Sequence, residues 1–300
     1  HSRSANLSSA SRSSMVFDSS NNVHILFGGG VYSHSSRNDT WVYNLSSKDW
    51  TQKNPAGTVP WARQGQAMVF DPIHNVSVLF GGSLHGSSVD QSTYVYNFST
   101  NAWNSISPYF FKPKATELLS MVYNPQHDQI ILFGGWNGPE SYPWQNEIYH
   151  DTWTYNMSTN IWTNKNPAQA PSRRFGQAMC CIQSTGLVVL YGGQRDYFTA
   201  LGETWTYNLT TNNWTKREPK VSPPPRMGAV MAADDSGNTI LLFGGFVWEG
   251  GNLTYLNDLW SYDLASDTWT ELEVPASPSP RAYASMTYDP NEKKMFLFGG

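Results

Sequence analysis

Four arginines, Arg63, Arg174, Arg226 and Arg281, each stand five residues before a methionine. A guanidinium is a planar fork of donors that grips a carboxylate through two parallel hydrogen bonds, so arginines held in register could receive a partner's acidic groups. They could equally tie together the loop carbonyls of adjacent structural units. Ala10 and Thr116 occupy the same place before Met15 and Met121, which breaks any symmetric ring of binding cations.

A second set of candidate ligand-binding residues is aromatic. Trp136, Tyr142 and Trp144 fall in "WNGPESYPWQN", Tyr197 and Phe198 in "QRDYFTALG", and Trp248 in "FVWEGGNLTY" between Phe246 and Tyr255. Tyr32 and the run Tyr109, Phe110 and Phe111 add to the set. Flat rings on loops suit sugar rings or anchor points at protein interfaces. The competing expectation is that the loops fold down and bury the rings against one another.

Catalytic constellations are not found. The histidines His1, His24, His34, His74, His85, His127 and His150 show no paired ligand spacing, and no nucleophile elbow, phosphate loop or dinucleotide fingerprint occurs. Asp39, Asp151, Glu203 and Asp258 each stand two residues before a tryptophan and read as strand caps rather than metal ligands. Cys180 and Cys181 are adjacent in an apolar stretch, so on a strand they point to opposite faces and read as small packing residues. No catalytic residue, metal or cofactor is assigned, and an enzyme is not expected.

Nine Asn-x-Ser/Thr sequons occur, and four of them, at Asn44, Asn97, Asn156 and Asn208, share one corner of a repeated phrase whose fifth copy has Asp263. Asn and Asp are both good turn residues. The recurrent hydroxyl two residues on also fits N-glycosylation at these corners, and hence an extracellular or cell-surface setting.

A net charge of −4 with 14% charged residues argues against a nucleic-acid surface. No apolar run is long enough for a membrane-spanning segment, and the opening "HSRSANLSSA" lacks the apolar stretch of a signal peptide.

The elements that must position these residues are repeats. Gly28-Gly29, Gly81-Gly82, Gly134-Gly135, Gly192-Gly193, Gly244-Gly245 and Gly299-Gly300 recur at intervals of 52 to 58 residues, each pair 13 residues after a methionine. Tyr43, Tyr96, Tyr155, Tyr207 and Tyr262 each precede a tryptophan by seven residues. Fixed spacing inside a repeat and variable spacing between repeats mean rigid elements joined by adjustable loops. The runs before each Gly pair ("VHILFGG", "VSVLFGG") are short, apolar and rich in β-branched residues, which predicts strands. Four strands per repeat follow: one with the methionine, one ending in the Gly pair, one with the Tyr, one opening at the later Trp. Such a sheet cannot bury both faces alone, so copies must stack radially.

With the double Gly, the spaced Tyr and Trp, and the Arg-x-Gly of "ARQGQAMVF" and "RRFGQAMCC", the chain resembles kelch repeats along nearly its whole length. The resemblance implies an all-β, kelch-type β-propeller: one domain over 1–300, six blades with fingerprints near 10–53, 63–106, 116–165, 174–217, 226–272 and a partial 281–300. It also implies that loops after the Gly pairs share a face with the connections between blades, and that the arginines lie near the channel mouth. Blade six lacks its third and fourth strands, and "HSRSANLSS" is a poor substitute. The expectation is a fragment whose next 30 or so residues finish the blade, with strands donated by a neighbouring subunit as the alternative.

Galactose-oxidase-like copper enzymes share the fold, but they need a Cys beside a Tyr, and the two cysteines here sit in a first strand. The reading is therefore a binding module, similar to prokaryotic surface proteins, whose aromatic loops recognise a glycan or a surface protein. The alternatives are a structural subunit that self-assembles into a glycosylated surface layer or filament, and a carbohydrate-active enzyme.

Overall fold

The computed structural model describes residues 10–30, 35–84, 88–108, 111–138, 147–196, 199–237, 239–249 and 252–300. The described residues form an all-β propeller of antiparallel sheets. Blade one is the antiparallel sheet Ser14–Asp18, Val23–Phe27, Thr40–Asn44 and Asp49–Lys53, with neighbours in chain order. Blades two to five repeat this order from first strands Ala67–Asp71, Ser120–Asn124, Ala178–Cys181 and Val230–Ala233. Blade two gains an outer strand, because Ala56–Gly57 pairs in parallel with Ala102 and Trp103. Blade six contributes Ser285–Asp289 and Lys294–Phe298.

Burial explains the two sequence patterns. Second strands such as Val23–Phe27 and Val76–Phe80 are buried at every position, because a blade is covered on both faces, so they read as continuous apolar runs. Fourth strands lie at the rim. In Asn213–Arg217 only Trp214 is fully buried.

The Gly pair is a joint between blades. All twelve glycines of these pairs have positive φ, a region closed to most side chains. The second glycine donates its N–H to the next blade at the arginine position: Gly29 to Arg63 O, Gly135 to Arg174 O, Gly193 to Arg226 O and Gly245 to Arg281 O, each at 2.9 Å. A Cβ on Gly81 would stand 2.5 Å from the Thr116 carbonyl oxygen, so the approach itself requires glycine. Gly300 makes the corresponding bond to Ala10 O at 3.4 Å, joining blade six to blade one.

A second closure runs around the channel. The residue three before each methionine adopts positive φ in every blade: Arg12, Gly65, Leu118, Gly176, Gly228 and Tyr283. Each donates its N–H to the carbonyl of the preceding member at 2.7 to 2.9 Å, from Gly65 to Arg12 O round to Arg12 to Tyr283 O. The result is a closed collar of six hydrogen bonds that narrows the channel on the loop face.

The methionines pack between blades. Met68 joins the cluster containing Val16, Ile25 and Trp103, and Met121 the one containing Val69, Val78 and Phe80. Cys180 faces blade five and Cys181 faces blade three, both as buried free thiols. Burial pushes Cys181 up to about 12 and Cys180 further, so both stay protonated. The later tryptophans bridge blades in the same way. Trp103 lies tilted against Phe27 of blade one, with ring centroids 4.9 Å apart, and donates to Thr40 Oγ1 at 3.0 Å, and Trp162, Trp214 and Trp269 donate to Thr93, Thr152 and Thr204.

Candidate functional site

Three of the four arginines are buried braces. Arg63, Arg174 and Arg226 are at most 1% exposed, and each donates Nη1 to the first glycine carbonyl of its own blade: Gly81, Gly192 and Gly244. Their backbone carbonyls meanwhile accept from the preceding blade's Gly pair. The link between blades is therefore the arginine main chain, and the guanidinium braces the loop within one blade. Acids close these units: Asp90 on Arg63 at 2.8 Å, Glu203 on Arg174 at 2.6 Å, and Asp258 on Arg226 through both oxygens at 2.6 and 2.7 Å.

Burial works to raise the Asp258 carboxyl, but bonds from Arg226 and Trp260 outweigh it and hold it below its usual range. Glu203 is held down likewise by Arg174 and Trp205 against the same burial. These three guanidinium groups thus offer no open fork to a ligand. Arg281 is half-buried, bonded to the Ser279 carbonyl and hydroxyl and to Gly299 O. Asp39 accepts from Trp41 Nε1 and Asp151 from Asn164 Nδ2, which makes them caps of their strands.

The aromatic set divides. Trp136 is 6% exposed and stacks on Phe175 at 5.2 Å. With Leu118 and Met227 it forms a small apolar cluster on the loop face beside the collar. The residue directly after a Gly pair is bridged back to its own blade, Trp136 to Glu117 and Phe246 to Met227, and this holds Trp136 down. Trp136 is packing, not a presented ring. Tyr32, Tyr109, Phe110, Tyr142, Trp144, Tyr197 and Phe198 lie outside the described residues, as does the segment 1–9.

Trp248 is presented. It sits on a hairpin of Phe246–Glu249 and Asn252–Tyr255 that rises from the loop face of blade five. Phe246 opposes Tyr255 and Trp248 opposes Leu253, so all four side chains share one face of the hairpin. Trp248, Leu253 and Tyr255 are 48%, 40% and 50% exposed. This face forms one wall of a cleft of about 520 Å³ whose far side is Arg12, Arg281 and Tyr283. Rings run across it: Tyr255 to Phe246 at 5.9 Å, Phe246 to Tyr283 at 5.9 Å, and the Arg12 guanidinium 5.0 Å from the Tyr283 centroid. Sequence reading missed Arg12, Leu253 and Tyr283. The available signal was a bulky residue at 12 and 283 where three other blades carry Gly.

Among the described residues, one group of metal-capable side chains converges: Asp71, His74 and Asp128. Asp71 Oδ1 accepts from the amides of Ile73 and His74, its Oδ2 meets His74 Nδ1 at 2.8 Å, and His74 Nε2 meets Ser158 Oγ at 2.9 Å. Asp128 Oδ1 accepts from Tyr123. Asn124 and His127 repeat the arrangement one blade on, with Thr210. The group fastens turns of neighbouring blades.

The sequon corners are Asx turns. Asn44 Oδ1 accepts from Ser46 and Ser47, Asn97 from Thr100, Asn156 from Thr159, Asn208 from Thr211, and Asp263 does the same for Ala265 and Ser266.

A model described as the KLHDC2/KLHL20/DRC7 Kelch-repeats domain matches residues 11–222 and 188–300. This chain belongs to the Kelch-repeat family. Kelch domain-containing protein 2 of Bos taurus is 25% identical across 90% of the chain and 69% of its own length. Kelch domain-containing protein 10 of Xenopus tropicalis is 28% identical across 74% of the chain and 53% of its length. Mei4-dependent protein 6 of Schizosaccharomyces pombe is 26% identical across 60% of the chain, which spans only 27% of that protein. These kelch relatives are eukaryotic, so they lend no support to a prokaryotic secreted type.

Proposed function

We propose that this kelch propeller is a protein-binding module whose partner docks on the loop face at the junction of blades five, six and one. The observation that carries the reading is the hairpin presenting Trp248, Leu253 and Tyr255 on one side, above a cleft with arginine on its far wall. Single exposed apolar side chains are ordinary, but a contiguous set on one face marks an interaction site, and Trp, Tyr and Arg are the residue types that dominate binding energy at protein interfaces. The cleft lies within the usual size range for an anchoring pocket, which is roughly 300–1,000 Å³.

A glycan is the competing occupant, since the exposed Trp248 ring could stack a sugar, and it would accompany an extracellular setting with sugars on the Asn corners. Quantitative affinity purification with the unaltered chain, a Trp248→Ala/Leu253→Ala/Tyr255→Ala variant and an Ile73→Ala control on the opposite face separates the readings. Protein partners lost only from the triple variant support the proposal. A retained partner set, or binding confined to a glycan array, contradicts it.

A further inference from the structure

We propose that the seam between blades six and one is an acid-sensitive latch: protonation of His24 loosens Val23–Phe27 from the Ser285–Asp289 and Lys294–Phe298 pair. His24 is 0% exposed on the second strand of blade one, facing blade six. Its Nδ1 meets Thr287 Oγ1 at 3.0 Å, its ring stacks on Phe296 at 4.4 Å, and Nε2 is buried without a hydrogen-bond partner.

No other seam is built this way. The equivalents of His24 are Ser77, Ile130, Val188, Ile240 and Met295, and the equivalents of Thr287 are Val16, Val69, Val122, Cys180 and Ala232. Ser77 is polar but cannot titrate. Among the described residues, the closure of the ring alone sets a fully buried histidine between the strands of two blades; His74 and His127 meet Ser158 and Thr210 of the next blade only at surface turns.

The surroundings decide which way the proton acts. Blade one sets Phe17 at 5.2 Å and Tyr43 at 6.3 Å against the imidazole, with Asp18 engaged by its own turn through Ser20 and Asn21. From blade six come Thr287, Phe296 and Asp289, whose Oδ1 caps the turn at Asn291 and Glu292, while Lys294 pairs with Glu292 at the surface. The Asp289 charge acts on the ring and favours the imidazolium. Burial outweighs it and lowers His24 from 6.5 to about 4. The folded seam therefore holds neutral histidine. Stability is full above 6.5 and is lost progressively as pH falls toward about 4, because the opened seam takes the proton more readily.

Hydrogen–deuterium exchange of the whole chain at pH 7.5 and pH 5.0, corrected for intrinsic rates, tests the latch. Opening of the peptides covering residues 14–27 and 285–298 should rise about 30-fold at pH 5.0, as linkage gives for these two values. The hairpin 178–191, which carries no histidine or carboxylate, serves as internal control and should not change. His24→Val should abolish the step. A pH-independent seam in the unaltered chain, or an undiminished step in the variant, overturns the proposal. If the variant does not fold, NMR titration of the native imidazole decides: a value above 6.5 would mean that protonation tightens the seam. The inference is independent of what occupies the loop-face cleft, because the readout is the seam itself.

Discussion

Arg12 donates its backbone N–H to the carbonyl of Tyr283 at 2.9 Å while its guanidinium lies 5.0 Å from that ring, so the first and last blades are joined by main chain and side chain together. This is the closing link of the collar. Both residues hold positive φ, 58° and 56°, at places where blades two, four and five have glycine. The collar ties Ser285–Asp289 and Lys294–Phe298 of blade six to blade one.

Glycine in the collar is predicted to be necessary where neighbours crowd it. A Cβ on Gly228 would meet Ala282 Cβ and the Tyr283 ring at 3.2 Å, at φ 68°. Gly228→Ala should cost about 1–3 kcal/mol from strain and crowding. Urea unfolding checks it, and a loss below that range would mean the collar tolerates side chains freely.

The Gly pair should be less forgiving. Gly81→Ala places a methyl 2.5 Å from the Thr116 carbonyl, which is backbone and cannot rotate away. We expect a loss above about 3 kcal/mol, with exchange protection falling first at the seam between blades two and three.

Arg226 and Asp258 form a two-bond pair with the arginine buried and the carboxylate partly so, and Arg226→Ala should leave that carboxylate uncompensated and cost about 2–4 kcal/mol. Because the folded Asp258 carboxyl is depressed, its contribution is present above the unfolded carboxylate value and is lost as pH falls through the lower folded one. In the variant that acid-side slope should flatten, as thermal unfolding between pH 2 and pH 7 would show.

Thr40 Oγ1 accepts the hydrogen bond of the buried Trp103 indole N–H at 3.0 Å. Thr40→Val should cost about 1–3 kcal/mol, and a double-mutant cycle with Trp103→Phe should recover most of it as coupling. Trp50, at the same place in blade one, meets Phe298 at 5.0 Å and is only half-buried, so Trp50→Phe should cost less than Trp103→Phe.

The sequence carried the fold well because its rigid distances are set by backbone joints. Gly pair, methionine and Tyr-to-Trp spacing each mark a contact that every blade must make in one way, so they repeat in register. Side chains on the loops carried less. Trp136 and Trp248 both follow a Gly pair, yet a bridge to Glu117 pins the first down while the second rides out on a hairpin. Arg63, Arg174 and Arg226 are buried braces for a related reason: a motif fixed in sequence records a fixed structural bond as readily as a binding role. The collar was hidden because only backbone conformation unites Arg12, Leu118 and Tyr283 with three glycines.

The central claim is that the loop face near blade five receives a protein. Its most direct test replaces Trp248 with a photo-crosslinking phenylalanine analogue, with a second probe at the exposed Ile73 on the opposite face, in the native cellular background. Discrete protein adducts at position 248 and none at 73 are predicted. Adducts at 73 alone, or none at either position, would contradict the assignment.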